Sequence, residues 1–453
     1  MPRAIHPIGN PLSRRQLLGA ASTAAVASIV DPRLNWFAYA QGSAKRPKVA
    51  VIYTSFFYRS HAHVIIENFL EKYLFNGKRT DPGVDVVSLW RDQSPKGDMT
   101  DQVVRDYKLP LFKTIEEAIC LGGKKLAIDG IVSIGEHGEY PTNELGQIEY
   151  PRKRMFDEYM KVIRRDGRGA PIFNDKHLSY RWDWCKEMVE TAKALNCPFL
   201  AGSSVPLAQR IPVWEPPMDM KIEEICAIHG GGYDSYDFHG LEILQSIAES
   251  RVGGETGISS VECLTGQPMW DAAKAGKWSV SLAEAAMRAE LGDKFKSLEE
   301  IERESKQPTH AILIRYKDGT KGTMLKVGAS GTRWNLAVKY PGESKVDAFR
   351  FYVGPWDNRN LFKALSHAIQ TCIIERKAPY PIERTLLTSG VTALAMKSKK
   401  LGKVVSTPEL EFAYAPLDFK AMREMGETWK IITETTEQSP GIAPDGVKPL
   451  EPR

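Results

Sequence analysis

Along the chain, apolar and polar positions alternate between two periods. KVAVIY (residues 48–53) is a short apolar run after a basic lead-in and predicts a strand, whereas AHVIIENFLEKYL (62–74) repeats its apolar positions at helical spacing. VDVVSLW (84–90) reads as a second strand. TIEEAICL (114–121) opens with a threonine cap and an acidic first turn, and so predicts a short helix. IDGIVSIG (128–135), APIFN (170–174) and PFLAGSS (198–204) follow as strands. The helices between them are PRKRMFDEYMKVIRRDG (151–167), with proline at its start, and WDWCKEMVETAKALN (182–196). Strand and helix at this rhythm predict a parallel sheet covered on both faces.

The pattern changes at the proline-rich RIPVWEPPMDMKIEE (210–224), which reads as a domain crossover. HAILIRYKDGTKGTMLKVG (310–328) is two alternating segments joined through Asp318-Gly319, a hairpin signal. FRFYVG (349–354) reads as a strand, and 360–377 and 383–402 as helices. The expected fold is therefore an α/β Rossmann-like parallel-sheet domain (41–208) followed by an α+β domain with an open, mostly antiparallel sheet (209–438). A proline- and glycine-rich tail (439–453) ends the chain.

The first 40 residues read differently. SRRQLLGAASTAAVASIV (13–30) sets Arg14-Arg15 before an alanine-rich run, and AYA (38–40) places small residues where a signal peptidase reads. These are the parts of a twin-arginine export signal, with Leu17 where phenylalanine is usual. The expectation is a mature chain starting near Gln41, periplasmic or otherwise exported, with no stable membrane span. That route carries folded proteins, often with a cofactor already in place.

Composition narrows the partners. A net charge of +5 over 453 residues, with basic residues dispersed, gives no nucleic-acid footprint. KSKK (397–400) reads as a solvated helix face. The six cysteines contain no C-x-x-C pair and read as buried thiols.

Three segments carry a resemblance. PIFNDKHLSYRWDWCKEMVETAKALNCPFLAGSS holds the triplet Asp175-Lys176-His177 at the end of a predicted strand. GGYDSYDFHGLEILQSIAE contains Asp234, Asp237 and His239. The helical stretch from NLFKALSHAIQ to KKLGKVV closes the order. Together they resemble the glucose–fructose oxidoreductase and inositol dehydrogenase family. The resemblance implies an oxidoreductase acting on a sugar, polyol or glycoside with tightly held NAD or NADP. It implies Lys176 and His239 as proton-handling residues, with Asp234 as a third; Ser235 stands four residues before His239, where the family has aspartate.

The phosphate turn departs from the family. Tyr53-Thr54-Ser55-Phe56-Phe57-Tyr58 stands where glycines let a backbone approach pyrophosphate. Thr54, Ser55, Arg59 and Ser60 offer other hydrogen bonds to a phosphate. Arg91-Asp92 follows the second strand, where an acid meets a ribose and an arginine a 2′-phosphate. Gly135, Glu136 and His137 open the loop that the resemblance sets beside the nicotinamide.

Two other readings use the same residues. His61, His63, His137, His177 and His239 form a histidine set at strand ends, the ligand type of a zinc or manganese hydrolase, lyase or isomerase. A non-catalytic carbohydrate-binding protein on the same fold would account for the missing glycines. Trp334 and Trp356 beside polar groups suit a small carbohydrate-like ligand, and the resemblance implies a homo-oligomer through the sheet of the second domain.

Overall fold

The structure, a computed structural model, describes residues 45–438 and 441–444. The segment expected to be an export signal and most of the tail lie outside the described residues. The first sheet is built from β1 (Lys48–Tyr53), β4 (Asp85–Arg91), β5 (Gly130–Ile134), β6 (Ile172–Asp175) and β7 (Phe199–Gly202), all parallel, in the order β4-β1-β5-β6-β7. Between them run α1 (His61–Leu70), a small hairpin of β2 (Tyr73–Phe75) and β3 (Lys78–Thr80), α2 (Thr100–Tyr107), α3 (Ile115–Cys120), α4 (Arg152–Asp166) and α5 (Trp182–Ala194). Leu111 adds a one-residue parallel bridge beside Leu89 on the β4 edge. That bridge completes the doubly wound order in which the chain reverses direction between β1 and β5.

Local chemistry explains most of these elements. β1 is buried along nearly its whole length, because helices cover both faces of a parallel sheet. Thr114 and Glu117 form a reciprocal capping box on α3. The helix expected over 62–74 stops at Leu70 instead. Tyr73–Phe75 pairs with Lys78–Thr80 across Asn76-Gly77, both with positive φ (47° and 73°). Asn-Gly is a strong two-residue hairpin signal, and it overrides helical spacing here.

The second sheet has eight strands: β8 (Gln209–Ile211), β9 (Glu224–Gly230), β10 (Ile258–Thr265), β11 (His310–Tyr316), β12 (Lys321–Lys326), β13 (Ser330–Lys339), β14 (Val346–Tyr352) and β15 (Val405–Ser406). Their order is β15-β10-β11-β12-β9-β13-β14-β8, antiparallel except for the β12–β9 pair. The helices of this half are α6 (Ser235–Ala248), α7 (Gln267–Lys274), α8 (Val280–Leu291), α9 (Leu298–Ser305), α10 (Asn358–Glu375) and α11 (Ile382–Leu401).

One continuous apolar core joins a face of each sheet. It includes Val51 and Val132 of the first, Ile225 and Leu336 of the second, and side chains of α1, α6, α10 and α11. A second core lies under α3, α4 and α5. A third packs Met269, Trp278, Leu282 and Met287 on the outer face of the eight-stranded sheet. The sheet face expected to pair subunits is thus covered by α7 and α8. All six cysteines are free and buried, as expected. Among the described residues no helix is long and apolar enough to cross a membrane.

Candidate active site

The carboxyl ends of β5 and β6, the start of α1, the start of α6 and the start of β13 enclose a cavity of about 1090 Å³. Backbone strain concentrates around it. Arg59, His137 and Lys176 line it with φ of 68°, 69° and 62°, conformations that non-glycine residues rarely hold and that cluster at functional sites.

Lys176 leaves the end of β6 and places Nζ 2.8 Å from Glu136 Oε1; each side chain is 5% exposed. The other Glu136 oxygen accepts from Arg152 Nη2 at 2.6 Å, and Arg152 Nη1 lies 3.0 Å from His177 Nε2. Burial alone would raise the Glu136 pKa. The charges of Lys176 and Arg152 outweigh it and hold the carboxyl well below its usual range. Gly135 makes room for this arrangement, since a Cβ there would meet Arg152 Cγ at 2.6 Å.

His239 comes from α6 across the cavity. Its Nδ1 is 2.5 Å from Ser203 Oγ, which leaves Nε2 as the nitrogen available to a ligand. Burial, then the nearby Lys176 charge, push its pKa well below 6.5, so the ring is neutral near pH 7. Beside it Tyr236 and Trp334 stack at 5.4 Å, and the buried Trp334 Nε1 has no hydrogen-bond partner.

A pair that spacing did not reveal sits opposite. His61, at the start of α1, places Nδ1 2.6 Å from Oδ2 of Asp175, which is 1% exposed. A buried carboxylate on one ring nitrogen fixes orientation and frees the other for proton transfer. The His61 ring packs 5.2 Å from that of His137, whose Nε2 is buried and unpartnered. Burial and the neighbouring His61 lower the His137 pKa to about 4.

Other expected residues lie elsewhere. Asp234 does not line the cavity; it precedes α6 with φ 60° and accepts from Gln147 Nε2 at 2.9 Å, while Ser235 and Tyr236 beside it face the cleft. The five-histidine metal set is not gathered. His63 accepts from Arg59 N–H and donates through Nε2 to Ile442 O, and His177 is buried beneath Arg152. The one cluster with metal-ligand geometry among the described residues is His229, Asp237 and His310. Gly231 N–H donates to His229 Nδ1, so Nε2 carries the proton and donates to Asp237 Oδ1 at 2.9 Å; His310 Nε2 lies 2.7 Å from the same oxygen. That is a satisfied hydrogen-bond network rather than a set of open ligands.

The expected phosphate-turn residues are engaged by the chain itself. Thr54 Oγ1 donates to Glu136 O at 2.5 Å, and Ser60 Oγ accepts from Phe57 and His63 N–H, capping α1. Arg59 donates to Trp356 O, Asn358 and Gln438. Phe56 N–H donates to Asp98 Oδ2 at 3.1 Å, and Arg91 pairs with Asp98 and Asp101. Asp92 accepts from Tyr140 and Arg154, one on each oxygen. Among these residues Ser55 Oγ and Arg59 Nε are buried without a partner. The two ends of the crevice therefore differ. The end at Glu136, His137 and Lys176 opens on the cavity with His137 Nε2 unpartnered. The end between the β1 turn and the loop after β4 is closed by internal hydrogen bonds.

Strand order, crossover and cleft together define a two-sheet architecture, a Rossmann-type parallel sheet joined to an open, mostly antiparallel sheet across the site. GenD2 from gentamicin A biosynthesis, solved in complex with NAD, shares it at a TM-score of 0.51 and 12% identity, over 81% of this chain and 97% of that one. Myo-inositol 2-dehydrogenase from Lactobacillus plantarum aligns at TM-score 0.49 and 13% identity, over 80% of this chain and 99% of that one. A probable dehydrogenase from Thermotoga maritima aligns at 0.48 and 10%, over 80% and 99%. No family model and no curated protein sequence matches the chain. At such identities the likeness is one of fold.

Proposed function

We propose that the chain is an oxidoreductase acting on a hydroxyl-bearing carbon of a sugar, polyol or glycoside, with NAD or NADP as its hydride partner. The observation that carries this reading is the buried Lys176–Glu136 pair facing His239 across one cavity at the carboxyl ends of parallel strands. A neutral His239 suits removal of a hydroxyl proton, and the Lys176 ammonium suits the developing alkoxide. A nicotinamide dinucleotide, when bound, supplies the hydride acceptor. Glu136, His137 and the backbone of Gly135 are the residues that would border its nicotinamide, and the Tyr236–Trp334 wall suits the apolar face of a sugar ring. Twin-arginine export and periplasmic action are part of the same proposal and rest on residues 13–40. A homo-oligomer remains part of it as well, through surfaces other than the sheet face that α7 and α8 cover.

A second reading is favoured by the closed pyrophosphate end. The same cavity suits redox-neutral proton transfer, as in a lyase or isomerase, with His61–Asp175 as one acid–base pair and Lys176–Glu136 as another. Screening the purified protein against polyols and sugars with NAD or NADP separates the two. Nucleotide reduction supports the oxidoreductase. Deuterium uptake from solvent into a substrate, without nucleotide reduction, supports the second reading.

A further inference from the structure

The loop from Asp92 to Met99, between β4 and α2, closes the nucleotide half of the crevice with three of its side chains. Asp98, 3% exposed at its side chain, presents a carboxylate to the amide of Phe56, which belongs to the turn where a Rossmann fold directs amides at phosphate. The same carboxylate accepts from Thr100 N–H at 3.0 Å and pairs with Arg91 at 2.9 Å. One backbone amide, a second amide at a helix start and a guanidinium are the donors of an anion site, and here the anion is the chain's own.

The other two side chains reach across the end of β1. Gln93 Nε2 donates to Glu139 O at 2.9 Å, and Glu139 N–H donates back to Gln93 Oε1 at 2.8 Å. Tyr140 OH donates to Asp92 Oδ2 at 2.7 Å. The loop after β4 is thereby tied to the loop after β5, and β1 lies between those two strands in the sheet. A dinucleotide laid over β1, nicotinamide toward β5 and adenosine toward β4, would cross this line. Gly97, next to Asp98, has φ 85° and nothing within 4 Å of its Cβ position, so the loop carries a swivel at its exposed tip.

We propose that Asp98 is a built-in anion standing in for a cofactor phosphate, and that the Gln93–Glu139 and Asp92–Tyr140 bonds form a strap over it. The nucleotide half of the site is self-occupied, and a dinucleotide binds only by displacing the loop. This rests on the nicotinamide reading of the cleft. It gives that reading a control point, because affinity for the adenosine end falls by whatever fraction of molecules holds the loop closed.

The test uses the full chain and two probes. ADP-ribose reports on the closed half, and nicotinamide mononucleotide on the open half. Isothermal titration is run on the wild type, on Asp98→Ala, and on Gln93→Ala/Tyr140→Phe, which leaves the start of α2 untouched. The expected result is that each variant binds ADP-ribose at least about tenfold more tightly than the wild type, with nicotinamide mononucleotide affinity unchanged. Equal ADP-ribose affinity in all three proteins overturns the proposal and leaves the oxidoreductase reading in place. Tighter ADP-ribose binding with no nicotinamide mononucleotide binding anywhere upholds the self-occupied site and removes the nicotinamide reading.

Discussion

Lys176 Nζ lies 2.8 Å from Glu136 Oε1, and Arg152 holds the other oxygen of that carboxylate at 2.6 Å. One buried carboxylate thus serves two buried cations, and the two ends of the arrangement differ in what their removal costs. Glu136→Gln strands both Lys176 and Arg152, a loss of about 3–5 kcal/mol by the usual cost of breaking a buried pair. Lys176→Ala leaves Glu136 with Arg152, so its stability loss is smaller, while turnover falls by at least about 100-fold. Urea denaturation and steady-state rates on the screened substrate measure the two effects. Undiminished turnover in Lys176→Ala would remove this lysine from the mechanism.

His61 and Asp175 make a prediction of their own. Asp175→Asn keeps size but reverses the demand on His61 Nδ1, since an amide nitrogen cannot accept a hydrogen bond. Turnover is expected to fall at least about 100-fold, with an altered pH profile of turnover. Imidazole NMR on the same variant should report a changed tautomer balance for His61. A variant with wild-type rate and an unmoved pH profile would leave the pair a structural contact.

Much of the fold was legible from period alone. Residues 48–53 read as β1 to the residue, and Asp318-Gly319 announced the β11–β12 hairpin. What escaped was of two kinds. Asn76-Gly77 is a local hairpin signal that outweighs the helical spacing around it. β9 (EICAIHG), buried at every position, carries no alternation to distinguish it. The α7–α9 segment was missed too, and with it the covered face of the second sheet.

For the site, the family resemblance led to Lys176, Glu136, His137 and His239, which the fold brings to one cavity. It did not lead to their partners. Ser203 lies 36 residues from His239, Asp175 lies 114 from His61, and Asp98 lies 42 from Phe56. Contacts at such separations come from topology, and local pattern holds no trace of them.

The His229–Asp237–His310 cluster yields a prediction about metals. Both imidazole Nε2 atoms converge on one carboxylate oxygen, and the Gly231 amide fixes the His229 tautomer against ligation. Elemental analysis should find no stoichiometric zinc or manganese, and a chelator should leave the melting temperature unchanged. Asp237→Asn is expected to cost about 3 kcal/mol or more, because a buried carboxylate with several donors is replaced by a single acceptor oxygen. A chelator-induced drop in melting temperature would mean that the cluster is a metal site after all.

Asp234 gives the pH dependence its clearest sign. Burial pushes its pKa from 3.8 up to about 6, with the Gln147 hydrogen bond opposing. Between about pH 4 and pH 6 the folded chain therefore keeps a proton that the unfolded chain has released, and stability falls as pH rises through that window. Above about pH 6 the penalty is fully present, on the order of 3 kcal/mol for a shift of this size. Asp234→Asn keeps an acceptor for Gln147 and cannot ionise, so it should be more stable than the wild type near pH 7.5 and close to it near pH 4. Urea midpoints at those two pH values measure the difference. If the two proteins trace parallel profiles, Asp234 ionises in the folded chain much as it does in the unfolded one, and its buried carboxyl is better solvated than its surroundings imply.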